Sequence, residues 1–577
     1  MADVDHIRHS LAHLLATVAL EYDPKAKLAI GPTIDNGFYY DILFSVPLGA
    51  EMLPKFEKKM RGLANRKLSF ERIPVTPMEA RERFVSQPFK IELIDELEKK
   101  GEDITLYKTG DFIDLCRGGH VESTSEIPAD AFTLSHIAGA YWHGDEKNQM
   151  LTRIYGYAFK TKKELDEYVR QQEEAKTRDH RKLGVELDLF VFSDLIGGGL
   201  PLFTPRGTVI RDELDSFVWE FRRKHGYERV DIPHITKKDL YEKSGHWQKF
   251  AGELFRITTR EKHEFAMKPM NCPHHTQIYA RKAWSYRELP QRYASTTKVY
   301  RDEQSGEIAG LTRVRSITQD DAHVFCRASQ IEGEFGAIWD IVETFYTAFG
   351  FKLSVRLSFH DPEHFEKYIG TKEIWHDAEA ALRRIADKRS TSYTEALGEA
   401  AMYGPKIDFL AHDSLGRKHQ VATIQLDMNM PERFDLVCTN EKGEKERVVM
   451  IHSAIMGSIE RFMAVLIEHT AGNFPTWLSP MQVRVVPVGK DQHDAAGAAV
   501  ETLRMAGIRA ELDDSNETLG KKVRQAKIAK VPYFLIIGAK EAESNIVTVE
   551  SRDHGKVGTM SPALFLARIK EEIKTRS

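Results

Sequence analysis

Cysteine is scarce, with four residues in 577, at positions 116, 272, 326 and 438, and no paired spacing among them. This excludes a disulfide framework and suits a reducing compartment. No apolar run approaches the roughly 20 residues that a membrane-spanning helix needs, and no charged-then-apolar leader with a cleavage site opens the chain. A cytoplasmic location with no membrane partner is the expectation. Excess charge is lacking as well: 82 Lys and Arg stand against 86 Asp and Glu, a net of −4. A nucleic-acid partner survives that balance, because phosphate contacts need local basic patches rather than a basic total. There is no internal repeat and no low-complexity tract.

Length is the first positive fact. At 577 residues the chain exceeds the roughly 250–300 at which single cores stop growing, so several domains are expected. Residues 1–160 combine one amphipathic helix over 6–20 with alternating and turn-rich segments, such as Ile30-Gly31-Pro32 and Asp35-Asn36-Gly37-Phe38-Tyr39-Tyr40, and read as an α+β domain. Over 161–182 Lys, Glu, Arg and Gln recur at helical spacing, which predicts a solvated linker helix. A large domain over 183–478 closes at the breaker-rich Phe474-Pro475-Thr476-Trp477-Leu478-Ser479-Pro480. In 479–577, β-rich runs at 482–488 and 533–537 alternate with helical stretches at 495–506 and 519–528, predicting an α/β domain with a buried mixed or parallel sheet.

Chemistry concentrates in the middle domain. Tyr300-Arg301-Asp302-Glu303 is followed by Arg313-x-x-x-Ile317-x-x-x-Asp321. A bidentate guanidinium can hold the α-phosphate of ATP in line for attack while a nearby carboxylate, Glu303, reads the adenine amine. Taken alone, the stretch also fits a charged hairpin on any α/β protein. Gly457-Ser458-Ile459-Glu460-Arg461 sits in an apolar helical pattern running from Ile451 through Met463, Leu466 and Ile467. Arg461 should therefore emerge from a buried helix, where it needs an anionic partner such as a triphosphate. Residues 211–233 read as an amphipathic helix (Leu214, Phe217, Val218, Phe221) leading through Gly226 into a short strand that ends at Pro233.

These three stretches, in this order, resemble motifs 2, 3 and 1 of the class II aminoacyl-tRNA synthetases. The resemblance implies an antiparallel-sheet catalytic domain, Mg²⁺ accompanying ATP, phosphate contacts from Arg301 and Arg461, and a homodimer formed through motif 1. The flanks narrow the family. Met270-Asn271-Cys272-Pro273-His274-His275, Gln319-Asp320-Asp321-Ala322-His323 and Met450-Ile451-His452 surround the motifs. Spacing alone advertises no metal, and a lone His or Cys is more often structural. Cys272, His323 and His452 nevertheless match, residue by residue, the zinc ligands of the threonyl-tRNA synthetases, a resemblance that runs from His9 to the C-terminus.

The resemblance implies one Zn²⁺ per subunit with an open position that the amino and hydroxyl groups of threonine could fill. Valine has the shape but no hydroxyl, and would be rejected. By the same resemblance Asp321 holds the amino group, while Met270, Glu303, Arg313, Gln319, Tyr403, Gln420, Thr423, Gln425 and Ser458 line the amino acid and ATP pocket. Lys406, in Tyr403-Gly404-Pro405-Lys406, is a second candidate for the phosphates or an ordinary turn lysine.

Serine keeps the hydroxyl and lacks only a methyl, worth about 1–3 kcal/mol, so a second, hydrolytic site is required. His9-Ser10-Leu11-Ala12-His13 places two histidines on one helical face, and Asp114-Leu115-Cys116-Arg117-Gly118-Gly119-His120 follows. Taken by themselves these residues fit a zinc site or a structural cluster. The resemblance makes them a metal-independent editing site for mischarged Ser-tRNA, formed by His9, His13, Asp114, Cys116 and His120. Three departures from the family pattern stand out. Ile317 occupies a position where an adenine-stacking phenylalanine is common, Gly119 replaces a frequent proline, and His274 a frequent glycine. The ubiquitin-like domain that often precedes the editing domain has no counterpart here, His9 lying eight residues after Met1.

In the last domain Glu517, Lys521, Lys522 and Arg524 surround a helix start, where they would read anticodon bases and phosphates or form a solvated face. The function implied is ATP-dependent threonylation of tRNA(Thr) with editing. A silent RNA-binding paralogue and a freestanding editing hydrolase are the rival readings. Intact arginines and zinc-ligand positions weigh against the first, and the full-length catalytic domain against the second.

Overall fold

The computed structural model describes residues 3–576 and divides the chain into two units, Met1–Glu174 and Ala175–Ser577. In the first unit, helix α1 (Val4–Tyr22) is capped by Asp3, whose side chain accepts the N–H of Asp5. Its apolar face (Leu11, Leu14, Leu15, Val18) is buried on Phe38, Tyr40 and Ile154 of an antiparallel sheet. That sheet runs Lys27–Leu28, Gly37–Leu43, Met150–Ala158, Phe132–Tyr141, with Thr33–Ile34 pairing on Gly37–Leu43. A second sheet joins Glu71–Pro74, Thr105–Thr109 and Phe112–Leu115. The unit is α+β, but not with one helix: Leu53–Ala64, Pro77–Arg83 and Pro88–Lys100 are helical too. Each has proline in its first turn, a helix-start signal that also reads as a turn when the surrounding sequence is rich in breakers.

The linker helix is also two helices. Lys162–Arg178 ends, and α2 (His180–Glu186) begins, where the Asp179 side chain caps the N–H of Arg181.

The second unit is built on an eight-stranded sheet. From one edge the order is Glu228–Arg229, β1 (Gln291–Tyr300), β2 (Ser316–Cys326), Val449–Ser458, Lys418–Asp427, Lys406–His412, Lys352–Phe359, Tyr393–Leu397. In chain order the three strands before the last pair are β3 (Lys406–His412), β4 (Lys418–Asp427) and β5 (Val449–Ser458). Pairing is antiparallel through the centre and parallel at both edges. One face is packed by α3 (Pro205–Lys224), by Ile331–Thr347 and by α4 (Ile459–Thr470), through Leu214, Phe217, Ile338, Phe345, Phe462 and Leu466.

Two further expectations need correction in this domain. The apolar pattern from Ile451 is not helical at its start: Val449–Ser458 is a strand, and α4 begins only at Ile459. A central strand covered on both faces is apolar at nearly every position, and periodicity cannot tell it from a buried helix. The turn between them is set by Gly457 at φ 76°, where an added Cβ would meet the Val421 carbonyl oxygen at 2.8 Å, and by Ser458, which caps the N–H of Arg461. The strand expected to end at Pro233 is only Glu228–Arg229, because an edge strand needs pairing for just the residues facing β1.

The C-terminal sheet is mixed, in the order Ala510–Leu512, Val483–Pro487, Tyr533–Ile537, Val547–Ser551, Gly555–Met560. The first three strands are parallel and the last two antiparallel. Helices His493–Met505 and Leu519–Ile528 occupy the expected stretches. Lys522 does not face solvent: it is buried, and its Nζ reaches the carbonyls of Asp513 (3.1 Å) and Pro487 (3.5 Å). It ties the helix to the sheet and is removed from the base-reading set. Glu517 and Lys521 are exposed and paired at 2.7 Å, and Arg524 is exposed.

Candidate active site

Strand alternation sorts β2 into two sets. Thr318, Asp320, Ala322 and Val324 turn toward the helices and are buried; Ile317, Gln319, Asp321 and His323 share the opposite face. Asp320 anchors this arrangement. It accepts the N–H groups of Ile455 (2.8 Å) and Met456 (3.1 Å) and meets Arg222, with burial pushing its carboxyl up to about 6. Thr318 is held by Glu460, which accepts its N–H at 2.8 Å and its hydroxyl at 2.7 Å. A register shift between Gln319 and Asp321 breaks the pairing of β2 with β5, so Gln319 lies opposite Ser458 and Asp321 opposite Ala454.

Across the sheet His323 pairs with His452, which pairs with Gln425. Cys272, at the start of the helix Cys272–Tyr279, joins them: one donor atom from each of Cys272, His323 and His452 lies within 4.8 Å of the others. His323 Nε2 and His452 Nδ1 are 3.1 Å apart. The outer nitrogens are held in turn, His452 Nε2 by Asp427 at 2.8 Å and His323 Nδ1 by His275 at 2.8 Å, with Ser295 behind His275 at 3.2 Å. Metal-bound imidazoles are oriented in this way, and carboxylate–histidine pairs are typical of zinc sites.

The donor chemistry fits a metal. Burial drives His323 well below its ordinary value, which leaves the neutral imidazole that ligates. Burial, together with Asp321 and Asp427, drives the Cys272 thiol well up, so a thiolate there requires a cation beside it. Tyr403 stacks on His452 at 4.6 Å and donates to Gln425 at 2.5 Å. Asp321 receives Asn271 at 3.0 Å and lies 3.8 Å from His323. His246 stands 3.2 Å from Met270 Sδ and 3.8 Å from Cys272, held neutral by burial at about 3.

Beside this cluster opens a cleft of about 520 Å³, lined among others by Arg301, Glu303, Arg313, Ile317, Gln319, Lys406, Gln420, Thr423, Ser458 and Arg461. The size is that of a small-molecule site. Arg301 Nε, Gln319 Oε1, Thr423 Oγ1 and Asn271 Oδ1 are buried without a protein partner. Native interiors seldom tolerate such atoms, so several together mark a surface shaped for a polar ligand. Glu303 and Arg313 face each other at 2.8 Å. Lys406 starts a strand rather than a turn, and its Nζ is 3.1 Å from Asp408, which also accepts Gln420 Nε2 at 2.8 Å and Arg356 at 3.0 Å. Asp408, Asp427, His246 and Arg356 were missed from sequence. Each works through another side chain, and no local motif announces that.

In the first unit, Asp114 lies in the strand Phe112–Leu115, and a glycine turn after it brings Cys116 and His120 beside α1. Cys116 Sγ is 3.4 Å from His9 Nε2 and 3.2 Å from His120 Nε2, while Ser10 holds His120 Nδ1 at 3.2 Å. His13 Nε2 lies 3.9 Å from Asp114. All five expected residues thus converge. Gly119 has φ 86°, out of reach of proline near −65°, so the loop must run differently wherever proline stands here. Two missed residues complete the group: Lys90 pairs with Asp114 at 2.5 Å, and Tyr40 donates to the same carboxylate. Burial holds the Cys116 thiol up at about 11 and pushes His9, His13 and His120 down, leaving a set of neutral donors and acceptors.

The tRNA synthetase class II core domain (G, H, P, S and T) matches residues 255–470, the anticodon binding domain 482–572, and the threonyl and alanyl tRNA synthetase second additional domain 104–155. The threonine–tRNA ligase of Gloeobacter violaceus is 46% identical over 582 residues, 99% of this chain and 92% of that protein. This chain belongs to the threonine–tRNA ligases. A Thermus thermophilus member is 46% identical over 586 residues, covering 99% of this chain and 88% of that one. Among solved structures, the RNA binding domain of threonyl-tRNA synthetase from Cryptosporidium parvum Iowa II aligns with a TM-score of 0.65 at 36% identity, over 68% of this chain and 98% of that chain. Prolyl-tRNA synthetase from Cryptosporidium parvum shares the fold at 17% identity and a TM-score of 0.55. Threonine–tRNA ligases use ATP with Mg²⁺ to activate threonine and join it to tRNA, and the additional domain is of the editing type. No helix among the described residues is long and apolar enough to cross a membrane.

Proposed function

We propose that this ligase selects threonine at a zinc held by Cys272, His323 and His452, and removes mischarged serine at the Cys116 cluster. The observation that carries the first part is the convergence of three buried donor atoms, with Asp427 and His275 behind them, on the edge of a cleft containing unpartnered polar atoms. A zinc held by these three residues would keep coordination open to the amino and hydroxyl groups of threonine. Asp321 accepts a hydrogen bond from that amino group, and Gln319, Tyr403, Thr423, Gln425 and Met270 enclose the rest. Arg301 and Arg461 stabilise phosphate charge, with Lys406 and Gln420 positioned by Asp408. Glu303, Arg313 and Ser458 complete the nucleotide pocket.

The proposed division is 1–160 for editing, 161–182 as linker, 183–478 for catalysis and 479–577 for the anticodon, where Glu517, Lys521 and Arg524 meet tRNA(Thr). The enzyme works in the cytoplasm as a homodimer joined through the catalytic domain. The test is ATP–pyrophosphate exchange across three amino acids. Threonine should be activated well and serine measurably, whereas valine should be refused. Efficient activation of valine would overturn zinc-based selection.

Ile317 faces the cleft, and an aromatic ring stacked on a base is worth about 1–3 kcal/mol in nucleic-acid complexes. Dispersion from an aliphatic side chain recovers only part of this. Ile317→Phe should lower the KM for ATP several-fold and leave that for threonine unchanged, in exchange kinetics at varied ATP with melting followed in parallel. An unchanged or raised KM in a well-folded variant would show that Ile317 does not face adenine.

A further inference from the structure

His180, the first residue of α2, and Glu468, near the end of α4, form a buried pair that the chemistry above does not use. His180 Nδ1 lies 2.6 Å from Glu468 Oε1, and the backbone N–H of His180 donates to the same oxygen at 3.1 Å. The other ring nitrogen, Nε2, accepts the backbone N–H of Leu311 at 3.0 Å. An incoming N–H fixes the tautomer: Nε2 carries the lone pair, and the proton sits on Nδ1 facing the carboxylate. Asp179, His180 and Glu468 are close enough to suggest a metal. Both ring nitrogens are already engaged, so the cluster serves as a clamp.

Leu311 is fully buried and lies in the segment that joins β1 to β2. Its neighbour Gly310 has φ 53°, and a Cβ there would stand 2.3 Å from His180 Nε2. Glycine alone lets the backbone approach the ring this closely. The same segment contributes Glu303, Thr312, Arg313 and Val314 to the cleft. On the other side, Glu468 Oε2 meets Arg417 at 2.7 Å, Arg417 meets Asp413 at 2.6 Å, and Asp413 meets His419, the neighbour of Gln420, at 2.9 Å. Glu468 also shares its helix with Arg461. One imidazole therefore ties together the β1–β2 segment, β4 and α4, three walls of the cleft.

We propose that His180 is a positioning residue for ATP: its neutral ring pins the Leu311 turn so that Glu303 and Arg313 meet the nucleotide without first being ordered. This rests on the reading of the cleft as the ATP site. Asparagine places an amide nitrogen where Nδ1 stands, keeping the donor to Glu468 and losing the acceptor for Leu311. Glutamine carries its amide oxygen to the place of Nε2 and keeps that acceptor.

The test is ATP–pyrophosphate exchange by the full chain, with Tm measured for each variant. His180→Asn should raise the KM for ATP about fivefold, the worth of one hydrogen bond, with the KM for threonine unchanged, while His180→Gln should return it to within about twofold of the parent. Gly310→Ala should raise the KM for ATP in the same direction. Equal effects of asparagine and glutamine, or a joint rise in both substrates' KM, would reduce His180 to a stability element and overturn the proposal. Arg301→Lys separates the two layers. If it raises the KM for ATP and His180→Asn does not, only the positioning role falls; if neither moves it, the nucleotide assignment of the cleft falls with it.

Discussion

Cys272→Ser and His452→Ala should each yield a folded protein without zinc that no longer activates threonine. Serine is nearly isosteric with cysteine, and Cys272 is packed among Tyr279, Tyr293, Phe325 and Tyr403, which are unaffected by the exchange. Folding should therefore survive, whereas the donor set does not. Because recognition of a hydroxyl by a site built for it discriminates by about 10⁴–10⁵, loss of the centre should abolish selection rather than weaken ATP binding. Asp427→Asn provides a graded version: it leaves the three donors in place but removes the carboxylate 2.8 Å from His452 Nε2. An outer partner of this kind typically changes metal affinity or activity by about 10–100-fold. Metal analysis and exchange kinetics on the same preparations decide it. A zinc-free variant activating threonine at the parental rate would defeat the assignment.

The residues of this centre were legible in sequence only through resemblance, for a physical reason. Cys272, His323 and His452 come from a helix start and two adjacent strands, so their spacing in the chain carries no ligand signature. Pairing of β2 with β5 brings His323 opposite His452, and pairing is a tertiary fact. Alternation on β2, by contrast, could be read directly: Ile317, Gln319, Asp321 and His323 are two apart and share a face. The same period failed at 451–458, where burial of both faces erased alternation and left an apolar run that resembled the helix following it. Lys522 misled for the opposite reason. It sits in a basic stretch that looks solvated, yet the ends of two neighbouring strands beneath supply the Pro487 and Asp513 carbonyls to its ammonium group. Side chains that act by holding others, such as Asp408, Asp427 and Lys90, have no sequence signal of their own.

The cluster at Cys116 should behave as an independent site. Cys116→Ala or His120→Ala is expected to leave threonine charging near normal and to slow deacylation of Ser-tRNA by about 10²–10⁴, the usual worth of positioned proton-transfer groups. Lys90→Met should act differently. Lys90 and Asp114 pair at 2.5 Å with both side chains almost wholly buried, and deleting one partner of a buried pair costs about 3–5 kcal/mol because the other charge is left unpaired. That variant should lower Tm as well as editing, whereas the alanine variants should lose editing with little change in Tm. Misacylation assays with serine, thermal melts and metal analysis together separate the outcomes. One zinc per subunit, with Cys116→Ala unaltered in metal content, supports hydrolysis by neutral side chains and water. Two zinc ions, one of them lost with Cys116, would convert the cluster into a metal site, since His9, His13, Cys116 and His120 each offer a donor atom within 4.8 Å of the others. Unchanged Ser-tRNA deacylation in both alanine variants would remove it from editing altogether.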